Sequence, residues 1–173
     1  MTTQQPSTPQ RAHTLRLLLG DQLNPEHSWF ATQDDGVVYV LMEVRQETDY
    51  ALHHAQKILA IFAAMRNLAR HLREAGHRVR YVAIDDASNR QSMPDNLAAL
   101  MAHYGAETLQ YQHPDEWRLD EQLHAWGAEQ PFTVQAVSSE HFYTTRTEMA
   151  EVFKGRKQWL MEHFYRRMRQ RHS

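Results

Sequence analysis

The chain contains no cysteine among its 173 residues, and its net charge is only about -2. The missing thiols exclude disulfides, thiolate nucleophiles and an iron–sulfur cluster held by this chain alone, and they are compatible with a cytoplasmic protein. The near-neutral charge gives no general attraction to nucleic acid or to an anionic membrane. Long apolar runs are also missing. The longest, residues 58–65, falls far short of the roughly 20 residues that cross a bilayer, so we expect no membrane partner.

Glycine is scarce too, with six in the chain, and this bears on the loop that follows the first apolar segment. That loop reads Gly20-Asp21-Gln22-Leu23, where a dinucleotide fold would carry three glycines close to a pyrophosphate. One glycine cannot give that approach, and Asp21 would repel phosphate. Either Asp21 buttresses a turn, or Asp21 and Gln22 bind a neutral ligand rich in hydrogen-bond donors.

Apolar segments and helical periodicities alternate along the chain. Strands are predicted at residues 14–19, 36–42, 78–84, 108–111 and 133–137, and helices at 50–75, 92–105, 115–126 and from 145 onward. Strands separated by helices need right-handed crossovers. We therefore expect an α/β fold, namely a doubly wound, mostly parallel, five-stranded Rossmann-like sheet with helices on both faces. Residues 1–12 are expected to be a disordered tail, 13–153 the α/β domain and 154–173 a basic helix.

The helix predicted at residues 50–75 has the clearest apolar stripe. Thr48 is its expected N-cap and Gly76 its expected stop. Because His54 falls on the stripe with Ile58 and Ile61, we interpret it as a core histidine.

The second predicted strand ends at a polar loop, Glu43-Val44-Arg45-Gln46-Glu47, followed by Tyr50 and His53. Carboxylates accept hydrogen bonds from an imide N–H or from sugar-like hydroxyls, and an aromatic ring packs on a flat heterocycle. The loop thus suits a pteridine or flavin-like ring, although Glu47 and Asp49 could simply favour a helix N-terminus. Asp49 and His53 have the chemistry of metal ligands but no third ligand, so no metal is expected.

Several of these segments together resemble one family. They are Leu19-Gly20-Asp21-Gln22-Leu23, Glu43-Val44, Glu47 with Tyr50, His53-His54 with Lys57-Ile58, Ala63-Ala64-Met65-Arg66, Gly76-His77-Arg78-Val79-Arg80-Tyr81, Asp85-Asp86, Glu116-Trp117-Arg118 and Arg156-Lys157-Gln158-Trp159-Leu160-Met161-Glu162. From residue 17 to about 172 the chain resembles the N-terminal antenna domain of the prokaryotic cryptochrome/photolyase group, the deoxyribodipyrimidine photolyase-related proteins, which include bacterial (6-4) photolyases.

The resemblance implies a domain that binds the antenna chromophore 6,7-dimethyl-8-ribityllumazine, or a similar pigment, and passes light energy to FAD. By motif, the cofactor-binding residues would be Gly20, Asp21, Gln22, Glu43, Val44, Glu47, Tyr50 and His53. Glu47 would accept from the polar edge of the ring. No catalytic residue carries over, because FAD and the iron–sulfur cluster belong to a helical domain that we expect to be missing from this chain.

The last predicted helix is basic and aromatic. From Lys154 onward it carries seven Lys and Arg residues, interleaved with Trp159, Phe164 and Tyr165. Such a segment can follow a nucleic-acid backbone, or its aromatics can face the missing helical domain and favour self-association when uncovered. We expect DNA binding to be weak or to need the full protein.

Three interpretations remain open from sequence: a light-harvesting chromophore-binding domain, one part of a DNA-repairing (6-4) photolyase, and a non-catalytic α/β binding module.

Overall fold

The structure is a computed structural model, and residues 11–172 of the chain are described. Residues 1–10 of the tail expected at residues 1–12 lie outside the described residues. The described chain forms two compact units, residues 11–137 and residues 138–172.

The first unit is built on a five-stranded sheet. Its strands are β1 (Thr14–Leu17), β2 (Val37–Met42), β3 (Val79–Val82), β4 (Thr108–Gln112) and β5 (Thr133–Val137). They lie in the order β3-β2-β1-β4-β5, and every neighbouring pair is parallel. The predicted α/β doubly wound fold is confirmed.

Four α-helices and a short 3-10 helix connect these strands. The 3-10 helix spans Ser28–Phe30, and the α-helices are α1 (Arg45–Asp49), α2 (Ala55–Glu74), α3 (Met93–Tyr104) and α4 (Trp117–Ala128). Ser92 accepts a hydrogen bond from the Asp95 amide at the start of α3, and Gly105 ends that helix in the left-handed conformation at φ 60°. Both boundaries are those predicted from the sequence.

The core has one layer on each face of the sheet. On one face, Leu97 of α3 and Leu123 of α4 pack in one cluster with Leu15, Leu17 and Val40 of the sheet. On the other face Tyr39 and Leu41 pack under Met65, Leu68 and Leu72 of α2. β2 is buried along its whole length because side chains of both its faces lie under these layers.

The start of the long helix differs from the prediction. A short helix, α1, occupies residues 45–49, and α2 begins only at Ala55, where His54 Nδ1 accepts from the Gln56 amide. Thr48 does not cap α2, because it lies inside α1 and its hydroxyl has Asp49 Oδ1 at 2.7 Å as its nearer acceptor. The prediction of a core histidine at His54 is also wrong, since this residue is exposed.

The second unit holds α5 (Glu148–Val152) and α6 (Met161–His172), separated by Gly155 at φ 75°. Phe153 is buried there, with the Trp159 ring stacked on it at 5.4 Å between centroids and Phe164 at 6.3 Å. Phe164 is 8% exposed and Trp159 58% exposed. Of the two, only Trp159 offers the uncovered aromatic surface that the sequence suggested.

Within residues 11–172, no helix combines the length and the hydropathy needed to span a bilayer.

Candidate functional site

A cavity of about 250 Å³ opens at the carboxyl edge of the sheet. Its walls come from the loops that follow β1, β2 and β4, together with the first half of α2. β1 lies between β2 and β4. From β1 the chain adds β2 and β3 on one side of the sheet, and then β4 and β5 on the other side. The point where the strand order changes direction is the topological switch point, where open parallel sheets leave a crevice for ligands.

The interior of the cavity is mostly apolar. Its apolar side chains are those of Leu17, Leu18, Leu19, Met42, Val44, Ile58, Ile61, Phe62, Met65, Met93 and Leu119. Half of the α2 stripe, from Ile58 to Met65, therefore faces the cavity, while Leu68 and Leu72 continue it into the core. Apolar walls of this kind suit a largely uncharged ligand.

Gly20 stands where the loop after β1 passes closest to α2. A methyl group in place of its hydrogen would lie 2.8 Å from Ile61 Cγ2 and 3.5 Å from Met65 Sδ. The glycine therefore allows the loop and the helix to approach each other at the cavity wall. This packing explains the glycine without a bound phosphate.

The polar rim is organised around Arg118, near the start of α4. Its Nη2 donates to Glu47 Oε2 at 2.9 Å and its Nε to Glu116 Oε1 at 2.9 Å, while the guanidinium carbon lies 4.2 Å from the centre of the Tyr50 ring. Burial lowers the pKa of Arg118, but the two carboxylates outweigh it and raise that pKa above its usual value. Glu47, Glu116 and Tyr50 line the cavity, so this cluster joins the loops after β2 and β4 at its edge.

Most of the residues predicted for the site lie on this cavity. They are Gly20, Asp21, Val44, Glu47, Tyr50 and His53, and Lys57 lies there as well. Asp21 and Glu47 share one hollow, although Glu47 is already paired with Arg118.

Gln22 does not line the cavity, contrary to the sequence prediction. It is 1% exposed, and its Oε1 accepts from the Leu19 amide while its Nε2 donates to the carbonyls of Gln112 and His113, each at 3.2 Å. The side chain therefore ties the loop after β1 to the end of β4. Gln22 therefore holds the loop that forms part of the cavity wall but is not itself among the lining residues.

Glu43 likewise lies behind the cavity wall, fully buried. It accepts a two-pronged hydrogen bond from Arg66 at 2.7 and 2.9 Å, one from the Ile84 amide at 2.9 Å and one from the Tyr81 hydroxyl at 2.5 Å. Burial raises the pKa of Glu43, yet these donors together hold it below its usual value of 4.5. Burial and Glu43 raise the pKa of the Tyr81 hydroxyl. Glu43 is a structural anchor between β2, α2 and the end of β3.

In the part of the chain that the structure describes, no three His, Asp or Glu side chains converge as a metal site would require.

Sequence reasoning used Glu116-Trp117-Arg118 only as part of the resemblance and did not assign this third loop to the site, where it contributes Pro114 and Glu116 to the lining and Arg118 behind it. Its position after a predicted strand was the available signal, but the sequence does not give the order of strands in the sheet. Only once β4 is placed beside β1 does that loop join the other two.

Comparisons with known proteins identify the family of the chain. A family model described as deoxyribodipyrimidine photo-lyase-related protein matches residues 16–173. A protein named (6-4) photolyase from Agrobacterium fabrum (strain C58 / ATCC 33970) is 36% identical over 162 residues, covering 91% of this chain and 31% of the relative. The chain thus spans about a third of the length of the relative it matches. It belongs to the deoxyribodipyrimidine photo-lyase-related protein family.

Proposed function

We propose that this domain binds a light-harvesting chromophore of the lumazine type in the cavity at the carboxyl edge of the sheet. The observation that carries the proposal is the pairing of apolar walls with a rim of acceptors at the switch point. A bound lumazine would absorb light and pass the energy to FAD held in a helical domain.

The size of the cavity favours a compact ring system. Pockets for drug-sized ligands hold about 300 to 1,000 Å³, and this one, at about 250 Å³, lies just below that range. A fused two-ring heterocycle suits it better than a dinucleotide. The first loop has a single glycine, which packs against Ile61, and this also favours a two-ring heterocycle over a dinucleotide.

The rim chemistry fits the polar parts of such a ligand. Carboxylate oxygens have about four acceptor positions, so Glu47 keeps acceptor capacity beyond its bonds from Arg118 and Gln46. Asp21, Thr48 and Lys57 also line the cavity and offer partners for a polyhydroxyl chain. The hydrogen bond from Arg118 holds Glu47 in place at the rim.

Fluorescence titration of 6,7-dimethyl-8-ribityllumazine into the purified chain tests this proposal. Ile58→Trp fills the cavity from its α2 wall, whereas Leu59→Trp puts the same side chain on the neighbouring position, which is 67% exposed. We expect saturable binding by the wild type, at least tenfold weaker binding by Ile58→Trp, and affinity within twofold of wild type for Leu59→Trp. Absence of wild-type binding, or equal losses in both variants, would refute the proposal.

A second candidate is that the chain acts in DNA repair as one part of a (6-4) photolyase. The observation in its favour is the 36% identity to a relative of that name, of which this chain spans 31%. FAD and the iron–sulfur cluster would then be held by the remaining helical domain, since this chain has no cysteine. Repair of a (6-4) lesion under light by the chain combined with that domain, but by neither alone, is the expected result.

A further inference from the structure

A second, larger groove lies away from the candidate chromophore cavity, between the edge strand β3 and α3. Its volume is about 620 Å³. Val82, Ala99, Leu100 and Tyr104 give it an apolar floor, and that size lies within the usual range for small-molecule sites.

The ionisable side chains that the described residues contribute to this groove include basic groups but no carboxylate. Arg80, Arg90 and His103 are present, and among the described residues no Asp or Glu side chain lines it. This contrasts with the unit as a whole, where seventeen acidic residues outnumber eleven Lys and Arg. A cationic groove in an acidic unit selects for anions.

The two arginines have donors to spare. Arg80 uses its Nη2 for Asp86 at 2.9 Å and Ser88 at 3.0 Å, which leaves most of the five N–H donors of a guanidinium unspent. Within residues 11–172 the Arg90 guanidinium has no hydrogen-bond or ion-pair partner. A guanidinium group with N–H donors to spare matches the oxygens of a phosphate, and both arginines line the same groove.

The loop that carries Arg90 is fixed in place. Asn96 Oδ1 accepts from the Arg90 amide at 2.8 Å, and Asn89 Nδ2 donates to Glu43 O at 2.7 Å and Ala83 O at 2.8 Å. Gln91 is held there at φ 60°, a left-handed conformation that costs a non-glycine residue about 1 kcal/mol or more. The backbone of the loop is therefore set before any ligand arrives, which lowers the entropy lost on binding.

We propose that this groove binds a small organic anion that combines a planar ring with a phosphate monoester, a ligand of mononucleotide size. The ring would pack on the floor formed by Leu100 and Tyr104, and the phosphate would take the free donors of Arg80 and Arg90. The site is separate from the chromophore cavity, since the two share no lining residue.

Calorimetric titration of the full chain with AMP, adenosine and inorganic phosphate tests the proposal. AMP should bind saturably with a dissociation constant below about 1 mM. Adenosine and phosphate should each have a dissociation constant at least tenfold higher. Arg90→Gln should weaken AMP binding at least tenfold, while Arg70→Gln, a change of the same kind on the exposed side of α2, should leave it within twofold. Arg90 is exposed, so its replacement leaves the fold intact.

Two further variants separate this site from the proposed function. Leu100→Trp should abolish AMP binding and leave lumazine binding unchanged, whereas Ile58→Trp should do the reverse. No saturable AMP binding would overturn the proposal, and so would adenosine or phosphate binding as tightly as AMP. An Arg90→Gln variant with wild-type AMP affinity would contradict it as well.

Discussion

At the scale of single residues, Glu43 is a buried carboxylate whose neighbours are all donors. The arginine, tyrosine and amide that surround it explain why an acid sits at the end of a strand that is otherwise apolar and buried. A buried charge is tolerated only when it is paired and hydrogen-bonded. Sequence placed Glu43 in the right loop but could not reveal Arg66 and Tyr81 as its partners.

Replacing Glu43 with Gln should lower the free energy of unfolding by about 2 kcal/mol, a value within the range measured for hydrogen bonds to charged groups. Gln keeps the shape but loses the charge that Arg66 pairs with. Arg66 is more than half exposed, so its guanidinium can return to water and the loss stays below that of a fully buried pair. Urea denaturation measures the effect. Glu121→Gln, on the exposed side of α4, is the matched control and should change stability by less than about 0.5 kcal/mol.

The stabilising effect of Glu43 should also depend on pH. Its pKa is lower in the folded than in the unfolded protein, so its stabilisation is fully present above the usual value of 4.5 and disappears as the pH falls through the folded-state pKa. Denaturation midpoints measured from pH 7 to pH 3 should show the gap between wild type and Glu43→Gln narrowing on the acid side. A difference in midpoint between the two proteins that widens at low pH would contradict a lowered pKa of Glu43 in the folded state.

At the scale of elements, the bounds of α3 were predictable from local chemistry, whereas the start of α2 and the contacts between distant segments were not. α3 has a serine cap, a proline in its first turn and a left-handed glycine at its end, so its bounds follow from neighbouring residues. α2 starts five residues later than Tyr50 because a histidine, rather than a threonine, caps it. The apolar stripe begins only at Ile58, so periodicity could not locate that start. The Glu47–Arg118 pair joins residues 71 apart and has no local signal.

The end of α3 offers a test of that local chemistry. Gly105 has φ 60°, and a methyl group there would meet no atom within 4 Å. Gly105→Ala should therefore lose about 1 kcal/mol through backbone strain alone. Gly105→Asn should lose clearly less, because Asn tolerates the left-handed region. Chemical denaturation should show a lower midpoint with an unchanged slope. Equal losses for the two variants would mean that strain is not the cause.

At the scale of the whole molecule, charge is divided unevenly along the chain. Residues 138–172 carry eight Lys and Arg against four Glu, while the first unit is acidic. The near-neutral total therefore hides a basic local patch of the kind that any contact with nucleic acid would need.

Single-stranded DNA should accordingly bind weakly and with a strong dependence on salt. Arg169 lies 5.8 Å from the Tyr165 ring, and both are exposed on α6. Arg169→Gln should lower the slope of log affinity against log salt by about 0.7, the value for one phosphate contact on a single strand. Arg70→Gln, in the acidic unit, should leave the slope unchanged. Fluorescence anisotropy at several salt concentrations measures both, and a slope that Arg169→Gln does not alter would place the contact elsewhere.

The central claim is that the cavity at the switch point holds the chromophore, and hydrogen–deuterium exchange of the chain with and without 6,7-dimethyl-8-ribityllumazine tests it most directly. The account predicts slower exchange in three segments that contribute residues to the cavity lining: residues 17–21, 44–50 and 57–62. Protection confined to residues 87–104 or 138–172, with those three segments unchanged, would contradict it.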